Sequence, residues 1–365
     1  MPGVTLDRIS MVINKKKVID DLSMRIEEGT FVCLLGPAGS GKTTLLKIIA
    51  GLTTPSSGSV FFDDENVTAV NPNKRNVSMV FQDFALYPHM SVFKNIASPL
   101  LAKKLPKQEV QKKVTDVAKF LKIDRFLERN ISHLSGGEMQ RVAIGRALSK
   151  EAKIMLFDEI FVNLDYKLRE QMRIEFKELM ERVKLTTVFS SPDPEDAFSL
   201  ADKIAVMHEG KILQYDSRDV VYNKPVDVFT GGYFGYPEMN FLDCSISEKN
   251  GKYVLDADFF HMPVKQESLV IKLKPGPCVL GLRPEHVKLV DEGPGESGVH
   301  AGRVFLTEVI GSDTIVHIEI GKHMLEVFTP GIYRETIGKQ VYIGFDPQLL
   351  YMFDKETGQF IGRGA

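Results

Sequence analysis

Leu134-Ser135-Gly136-Gly137-Glu138-Met139-Gln140 is the stretch whose reading decides the fold. A serine ahead of two glycines reads as a helix start, because the serine side chain caps backbone N–H groups that have no partner in the first turn. Its neighbours on either side give the stretch its weight. Upstream, Gly36-Pro37-Ala38-Gly39-Ser40-Gly41-Lys42-Thr43 runs as glycine, four residues, then Gly-Lys-Thr, the pattern of a phosphate-binding loop. Residues 31–35 before it are an apolar run of buried-strand type, and residues 42–50 after it read as a helix. Strand, loop and helix in that order are the context a phosphate loop requires. Downstream, Ile154-Met155-Leu156-Phe157-Asp158-Glu159 is an apolar run that ends in two carboxylates.

The chemistry of these stretches is coherent. Gly36, Pro37, Ala38, Gly39, Ser40 and Gly41 keep the loop small, so backbone N–H groups close on β- and γ-phosphates, and the helix start behind them favours negative charge. Lys42 is assigned to the phosphates, the Thr43 hydroxyl to Mg²⁺, and Thr44 to the same ATP site. A chance glycine-rich turn is the bland alternative, and the companion motifs leave it little room. Asp158 and Glu159 stand at the C-terminal end of a strand, where open α/β sheets place their ligands. Asp158 is expected to hold the metal and Glu159 to orient or deprotonate an attacking water. Phosphoryl transfer depends mainly on positioning and charge stabilisation, so few groups suffice.

Length and composition set the frame. A chain of 365 residues suggests two domains. Its 43% hydrophobic and 26% charged residues are ordinary for a globular protein, and a formal charge of -2 gives no general pull toward nucleic acid or anionic lipid. Cys33, Cys244 and Cys278 are scattered and odd in number, which speaks for a reducing compartment and against a disulfide framework or a metal cluster. The first residues lack the apolar core of a signal peptide. No run approaches the ~18 apolar residues that span a bilayer. If the protein works in transport, other chains must form the pore.

Strand and helix patterns alternate through the first part. Residues 77–81, 153–157 and 186–190 read as strands, 165–183 as a charged helix, and 91 to about 148 as mostly helical with a break near Lys104-Leu105-Pro106. This predicts a parallel α/β core with a helical insert. After about Gly235 the texture changes to short alternating segments, at 253–259, 304–309, 314–320 and 341–345, separated by Gly, Pro and Asp turns. That pattern predicts a small β-barrel. The expected division is 1–235, with a helical subdomain at about 87–149, and 236–365.

The order of phosphate loop, serine-glycine signature and acidic strand end resembles the ATP-binding cassette family, the motor subunits of ABC transporters. The resemblance implies a P-loop (RecA-like) α/β cassette with a helical subdomain, followed by a β-rich OB-like regulatory domain. It implies that Ser135, Gly136, Gly137 and Glu138 act on ATP bound by a second cassette, in a head-to-tail dimer with two sites at the interface. Gln82, in Met79-Val80-Phe81-Gln82-Asp83-Phe84-Ala85-Leu86-Tyr87-Pro88-His89-Met90, matches the family's glutamine loop; it would reach Mg²⁺ and water, and the apolar residues after it would meet a membrane subunit's coupling helix. A plain strand-exit turn uses the same composition. Asn163-Leu164-Asp165 matches the end of the family's D-loop, and Asp165 is also suited to cap the following helix.

In the second part, Gly281-Leu282-Arg283-Pro284-Glu285-His286, Gly235-Tyr236-Pro237-Glu238-Met239-Asn240-Phe241-Leu242 and Tyr351-Met352-Phe353-Asp354-Lys355-Glu356-Thr357-Gly358 match sugar-importer cassettes of the maltose type. The resemblance therefore covers almost the whole chain. In that family this domain mediates dimer contacts and regulation. Arg283, Glu285 and His286 fall far short of a metal cluster and read as structural hydrogen-bonding groups. OB-like barrels also bind oligonucleotides, but no basic groove with interleaved aromatics is evident.

Three departures stand out. Ser190-Ser191-Pro192-Asp193-Pro194-Glu195-Asp196-Ala197 puts Pro192 where the family carries its switch histidine, and proline has no side-chain donor. Ile13 takes the place of the aromatic residue that stacks on adenine. Ile160 and Val162 replace a proline and a serine between Glu159 and Asp165. The reading is that this chain's own hydrolytic site is impaired while its signature is competent. Ser191 as a partial substitute, or a homodimer that tolerates the loss, is the alternative.

The function so implied is the ATP-binding subunit of an importer for a carbohydrate or related polyol, using ATP and Mg²⁺. Its partners would be a second cassette (identical or different), two transmembrane permease subunits and, indirectly, an extracytoplasmic solute-binding protein. Nucleic acid is excluded, and the place of action is the cytoplasmic side of the cell membrane, held peripherally. A low-activity regulatory subunit beside a different, fully catalytic cassette is the alternative. Soluble cassettes of translation or DNA repair carry two cassettes or a long coiled-coil insertion, and this chain shows neither.

Overall fold

The computed structural model describes residues 2–162, 164–249, 252–264, 275–290 and 298–364. The chain forms two compact units, 1–218 and 219–365.

The first unit holds two sheets. A four-stranded antiparallel sheet, in the order β2-β1-β4-β5, comprises β1 (Val4–Ile13), β2 (Lys16–Ile26), β4 (Ser57–Phe62) and β5 (Glu65–Asn66). Asn14 and Lys15 join β1 to β2 with φ of 49° and 65°, a turn whose left-handed residues match the twist of the strands it joins. The six-stranded sheet has the order β10-β9-β3-β8-β7-β6, from β3 (Phe31–Leu35), β6 (Val77–Val80), β7 (Ile154–Asp158), β8 (Thr186–Ser191), β9 (Lys203–His208) and β10 (Lys211–Ser217). All its pairings are parallel except the antiparallel edge strand β10. Every residue of β3, β7 and β8 is buried, because a parallel sheet is covered on both faces; β3 and residues 154–157 of β7 are apolar without alternation, whereas β8 buries the hydroxyls of Thr186, Thr187, Ser190 and Ser191.

Register brings the strand ends together. Leu35 lies opposite Ser191, Asp158 opposite Ser190, and Val80 opposite Phe157. The loops that leave β3, β6, β7 and β8 therefore emerge along one edge, the ligand edge of open α/β sheets. Helix α1 (Lys42–Ala50) follows β3 directly. The helical insert comprises α2 (Val92–Ala102), α3 (Lys107–Phe120) and α4 (Gly136–Ser149). The predicted break is real: Lys104 takes φ 57° and Pro106 stands as N-cap of α3. Helix α5 (Tyr166–Val183) packs through Phe176, whose ring meets Phe157 and Phe161 edge-on at 4.9 and 5.5 Å, and α6 (Pro194–Leu200) follows β8.

In the second unit, α7 (Arg218–Asn223), which straddles the division, and α8 (Val228–Tyr233) precede two antiparallel sheets. One has the order β13-β12-β11-β14-β20-β21, from β11 (Asn240–Lys249), β12 (Lys252–Ala257), β13 (Phe260–Val264), β14 (Gly276–Leu282), β20 (Tyr351–Asp354) and β21 (Phe360–Arg363). The other has the order β15-β19-β16-β17-β18, from β15 (Val287–Val290), β16 (Val299–Ile310), β17 (Asp313–Ile320), β18 (His323–Pro330) and β19 (Gln340–Phe345). Both contribute to one apolar core, Leu242, Leu255 and Leu280 from the first, Val316, Leu325 and Ile343 from the second.

The change of texture near residue 235 marks where strands begin, whereas the fold divides at 218/219. The reason is Arg283. Its guanidinium is fully buried and donates to the carbonyls of Phe234 at 2.9 Å and Tyr222 at 2.8 Å, tying the preceding helical segment to the β-rich unit. Cys244 and Cys278, scattered in sequence, face each other across β11 and β14 as free thiols with sulfurs 2.7 Å apart.

Candidate active site

The loop between β3 and α1 is shaped by its glycines. Gly39 and Gly41 take φ of 82° and 104°, and a Cβ on Gly36 would collide with the carbonyl oxygen of Met207. Lys42 is buried, and its ammonium donates to the carbonyls of Gly36 at 2.7 Å and Pro37 at 3.0 Å. It also stands 3.2 Å from the Glu159 carboxylate. One cation thus spans the start of the loop and the end of β7. Thr44 is half-buried in the first turn of α1.

Around Asp158 the groups interlock. Thr43 Oγ1 donates to Asp158 Oδ1 at 2.9 Å, and Ser190 Oγ donates to the same oxygen at 2.8 Å. Burial pushes the Asp158 carboxyl above its ordinary value, against the two hydroxyl donors that lower it. Glu159 takes φ 47°, a left-handed conformation for a residue with a side chain, and its N–H is held by both the carbonyl and the hydroxyl of Ser190 at 3.1 Å. A threonine hydroxyl and a carboxylate within hydrogen-bond reach are hard oxygen donors, the set that suits Mg²⁺, which keeps several waters and takes few protein ligands. The residues present fit that ion.

Of the residues read from sequence, Gly36 to Thr44, Asp158 and Glu159 are brought together. Gln82 is exposed, two residues past the end of β6 and on the same sheet edge. Ile13 is 41% exposed at the tip of the β1–β2 hairpin. Ser135 is the N-cap of α4 in a capping box, its N–H donating to Glu138 Oε2 at 2.8 Å and its Oγ accepting from Glu138 N at 3.4 Å. Among the described residues no hydrogen bond joins this signature to the Asp158 group. Gly136 and Gly137 instead abut Leu164 and Leu168 at the start of α5. Asp165 caps that helix by accepting from Leu168 N at 3.0 Å, while Asn163 lies outside the described residues.

The strand end that carries Pro192 is tightly bound. Ser191 Oγ donates to Asp196 at 2.6 Å and accepts from Asp193 N at 3.0 Å. Arg169 and Arg173 of α5 pair with Asp193, Glu195 and Asp196. Ile160 is buried and Val162 half exposed.

Sequence reasoning missed several supporting residues. Arg75 is buried and donates to Ile48 and Ile49 carbonyls at the C-terminal end of α1, and to those of Val70 and Thr68. Asn95 is fully buried and ties Tyr87, while Arg146 donates to the carbonyls of Phe84 and Ala85. Ser190 carries no local sequence signal, because it is one of four hydroxyl residues in β8, with Thr186, Thr187 and Ser191, and nothing in the sequence singles it out. In the second unit, Arg283 bonds to carbonyls as read, and Glu285 accepts from the Tyr222 hydroxyl; among the described residues no cluster of three or more His, Cys, Asp or Glu side chains is set to hold a metal ion.

Comparison with known proteins places these features in one lineage. Residues 19–162 match the ABC transporter model, 235–287 the MalK OB fold domain and 280–353 the TOBE domain. The chain is 39% identical over 370 residues, covering 99% of itself and 96% of the other protein, to the sn-glycerol-3-phosphate import ATP-binding protein UgpC of Psychromonas ingrahamii. The chain belongs to the ABC transporter ATP-binding family. It is also 37% identical to the trehalose/maltose import ATP-binding protein MalK of Thermococcus litoralis, with 99% of this chain and 100% of that protein covered. The sulfoquinovosyl glycerol transport ATP-binding protein SmoE of Agrobacterium fabrum is 35% identical with the same coverage. A solved ATP-binding cassette, described as a dimeric post-hydrolysis state bound to ADP and Pi, is 29% identical and superposes with a TM-score of 0.54 over 59% of this chain and 98% of that one. As an ABC cassette the chain is a nucleotide-binding ATPase subunit, and its β-rich unit carries the OB and TOBE domains. Among the described residues no helix is long and apolar enough to cross a membrane.

Proposed function

We propose that this chain is the subunit that binds and hydrolyses ATP to drive an importer of a sugar or related polyol. The observation that carries this is the convergence of Lys42, Thr43, Asp158 and Glu159 at one sheet edge, with Lys42 3.2 Å from Glu159 and Thr43 2.9 Å from Asp158. Thr43, Asp158 and Gln82 would hold Mg²⁺, which on binding supplies charge neutralisation for the phosphates. Lys42 leaves Glu159 for the phosphates, and the freed carboxylate orients the attacking water and takes its proton. The N–H groups of the loop and of the first turn of α1 bind the phosphate oxygens. Ile13 offers the adenine an apolar contact without a ring.

Ser135, Gly136, Gly137 and Glu138 serve the ATP of a second cassette, and two such chains, identical or different, close around two nucleotides. Closure reaches the permease through a groove of about 460 Å³ lined by Met79, Phe81, Ala85, Tyr87, Pro99 and Arg146, on residues that flank Gln82 in sequence, which suits the coupling helix of a transmembrane subunit, one for each cassette. The chain acts at the cytoplasmic side of the membrane, with a solute-binding protein engaged only through the permease.

A second reading has its own support. Pro192 offers no side-chain donor, and the Ser191 hydroxyl is committed to Asp196 and Asp193, so neither replaces a switch histidine. Loss of one preorganised transition-state donor costs on the order of 10²–10³ in rate. Such a chain hydrolyses slowly and regulates a different, complete partner. Steady-state ATPase of the purified chain, alone and after Pro192→His, tests both readings: low turnover raised by histidine supports the regulatory subunit, and robust turnover unchanged by histidine overturns it. Loss of nucleotide binding on Lys42→Ala is the result the first reading requires.

A further inference from the structure

We propose that Ser190 is a positioning residue of the cation site, whose single buried hydroxyl ties the Asp158 carboxylate and the Glu159 backbone to strand β8. This rests on the assignment of Asp158 and Glu159 made above and adds a residue to it. Ser190 is fully buried in a strand flanked by β3 and β7, where a hydroxyl is costly unless it is bonded. It is bonded twice, donating to Asp158 Oδ1 at 2.8 Å and accepting from Glu159 N at 3.1 Å. A hydroxyl has one proton, so donating to one group while accepting from the other fixes both in relation to the same strand end.

Two further facts give the contact its meaning. Thr43 donates to that same Oδ1, so one carboxylate oxygen carries both hydroxyls and Oδ2 carries neither. Thr43 is the hydroxyl assigned to the cation, and Ser190 is the one with no other task. The left-handed turn at Glu159, φ 47°, persists only where its surroundings hold it, and Ser190 provides both of the acceptors on its N–H. Of Ser190, Ser191 and Pro192, only Ser190 directs a side-chain donor to the Asp158–Glu159 pair, since Ser191 is turned to Asp196. The strand end thus lacks a histidine donor yet braces the carboxylates by another route.

The test is equilibrium binding of ATP to the full chain by calorimetry, in EDTA and across a Mg²⁺ series, with unfolding followed in parallel. Ser190→Ala is expected to leave ATP affinity in EDTA within about twofold and to raise the Mg²⁺ concentration for half-maximal enhancement by about tenfold, the scale of a hydrogen bond to a charged group. Ser190→Thr, which keeps the hydroxyl, should restore it. Wild-type Mg²⁺ dependence in Ser190→Ala, or equal loss of affinity with and without Mg²⁺, overturns the proposal. Should alanine disorder the strand, the isosteric pair Ser190→Thr and Ser190→Val makes the same comparison. Asp158→Asn separates this from the underlying assignment: if Mg²⁺ enhancement survives there, the cation site itself is misplaced, whatever Ser190 does.

Discussion

The Lys42 ammonium lies 3.2 Å from the Glu159 carboxylate, so the cation proposed to bind phosphate and the proposed base restrain each other. Lys42 is almost wholly buried and Glu159 is 18% exposed, which keeps the pair from being fully screened. In the proposed site, nucleotide takes Lys42 from this partner. Glu159→Gln therefore has two opposite effects: ATP affinity rises about threefold to fivefold, on the scale of ~1 kcal/mol for a partly exposed pair, while phosphate release falls by roughly 10²-fold or more with loss of the base. Nucleotide titration beside a phosphate-release assay checks both, and a drop in affinity would contradict the restraint.

Arg75 caps the far end of the helix that carries Lys42. Its guanidinium satisfies the carbonyls of Ile48, Ile49, Thr68 and Val70, and a Cβ on Gly51 would collide with it. Arg75→Ala leaves buried carbonyls without donors and is expected to cost about 3 kcal/mol of stability. Gly51→Ala should also destabilise, because φ 75° adds strain to the clash. Urea unfolding of the two variants measures this, with a shifted midpoint and an unchanged slope as the expected outcome.

Local chemistry was legible in the sequence, and long-range bracing was not. The apolar runs at Phe31–Leu35 and Ile154–Asp158 announce parallel strands because both faces are covered, and Ser135 announces a helix start because capping is local. Arg75 reaches back to Ile48, and Ser190 to Asp158, across sequence separations of 27 and 32, and the register that makes these pairs exists only once the sheet has formed. The same holds for Cys244 and Cys278, brought opposite each other by β11 and β14. The texture change near 235 and the division into compact units at 218/219 differ by the span of α7 and α8, six residues each. Their short runs carry too little periodicity to be assigned from sequence, while Arg283 bonds to the carbonyls of Tyr222 and Phe234.

Acid should weaken the β-rich unit through His286. Burial, then the charges of Arg283 and Arg363, hold its imidazole below the ordinary 6.5. The folded chain thus binds this proton less readily than the unfolded one. The corresponding stability is complete above about pH 6.5 and is lost as pH falls through the depressed folded value. His300 is lowered by burial in the same sense, whereas Glu285, raised by burial, acts in the opposite direction. His286→Gln is expected to lessen the loss of stability between pH 7 and pH 5.5, by at most about 1.4 kcal/mol for the one unit below the ordinary value, with His300 retaining part of the slope. Urea midpoints at the two pH values decide it, and parallel curves for variant and parent would show that His286 carries no linkage.

Arg146 holds the segment that follows Gln82 in a conformation its residues do not favour. Phe84 and Ala85 take φ of 63° and 45°, and their carbonyls accept from Arg146 at 2.9 and 2.7 Å. Left-handed non-glycine residues cost on the order of 1 kcal/mol or more each, so the guanidinium offsets a strain that begins two residues after Gln82. Removing it should let the loop relax without touching the phosphate loop. Arg146→Ala is accordingly expected to let chymotrypsin cut after Phe84 about fivefold faster, since cleavage tracks the open population and ~1 kcal/mol is about that ratio. ATP affinity should change by less than about twofold, and transport by the assembled importer should fall by a larger factor than binding. Ala85→Gly, which removes part of the strain, should partly restore the transport that Arg146→Ala loses. Unchanged cleavage and full transport in Arg146→Ala would mean that the loop keeps its shape by other contacts.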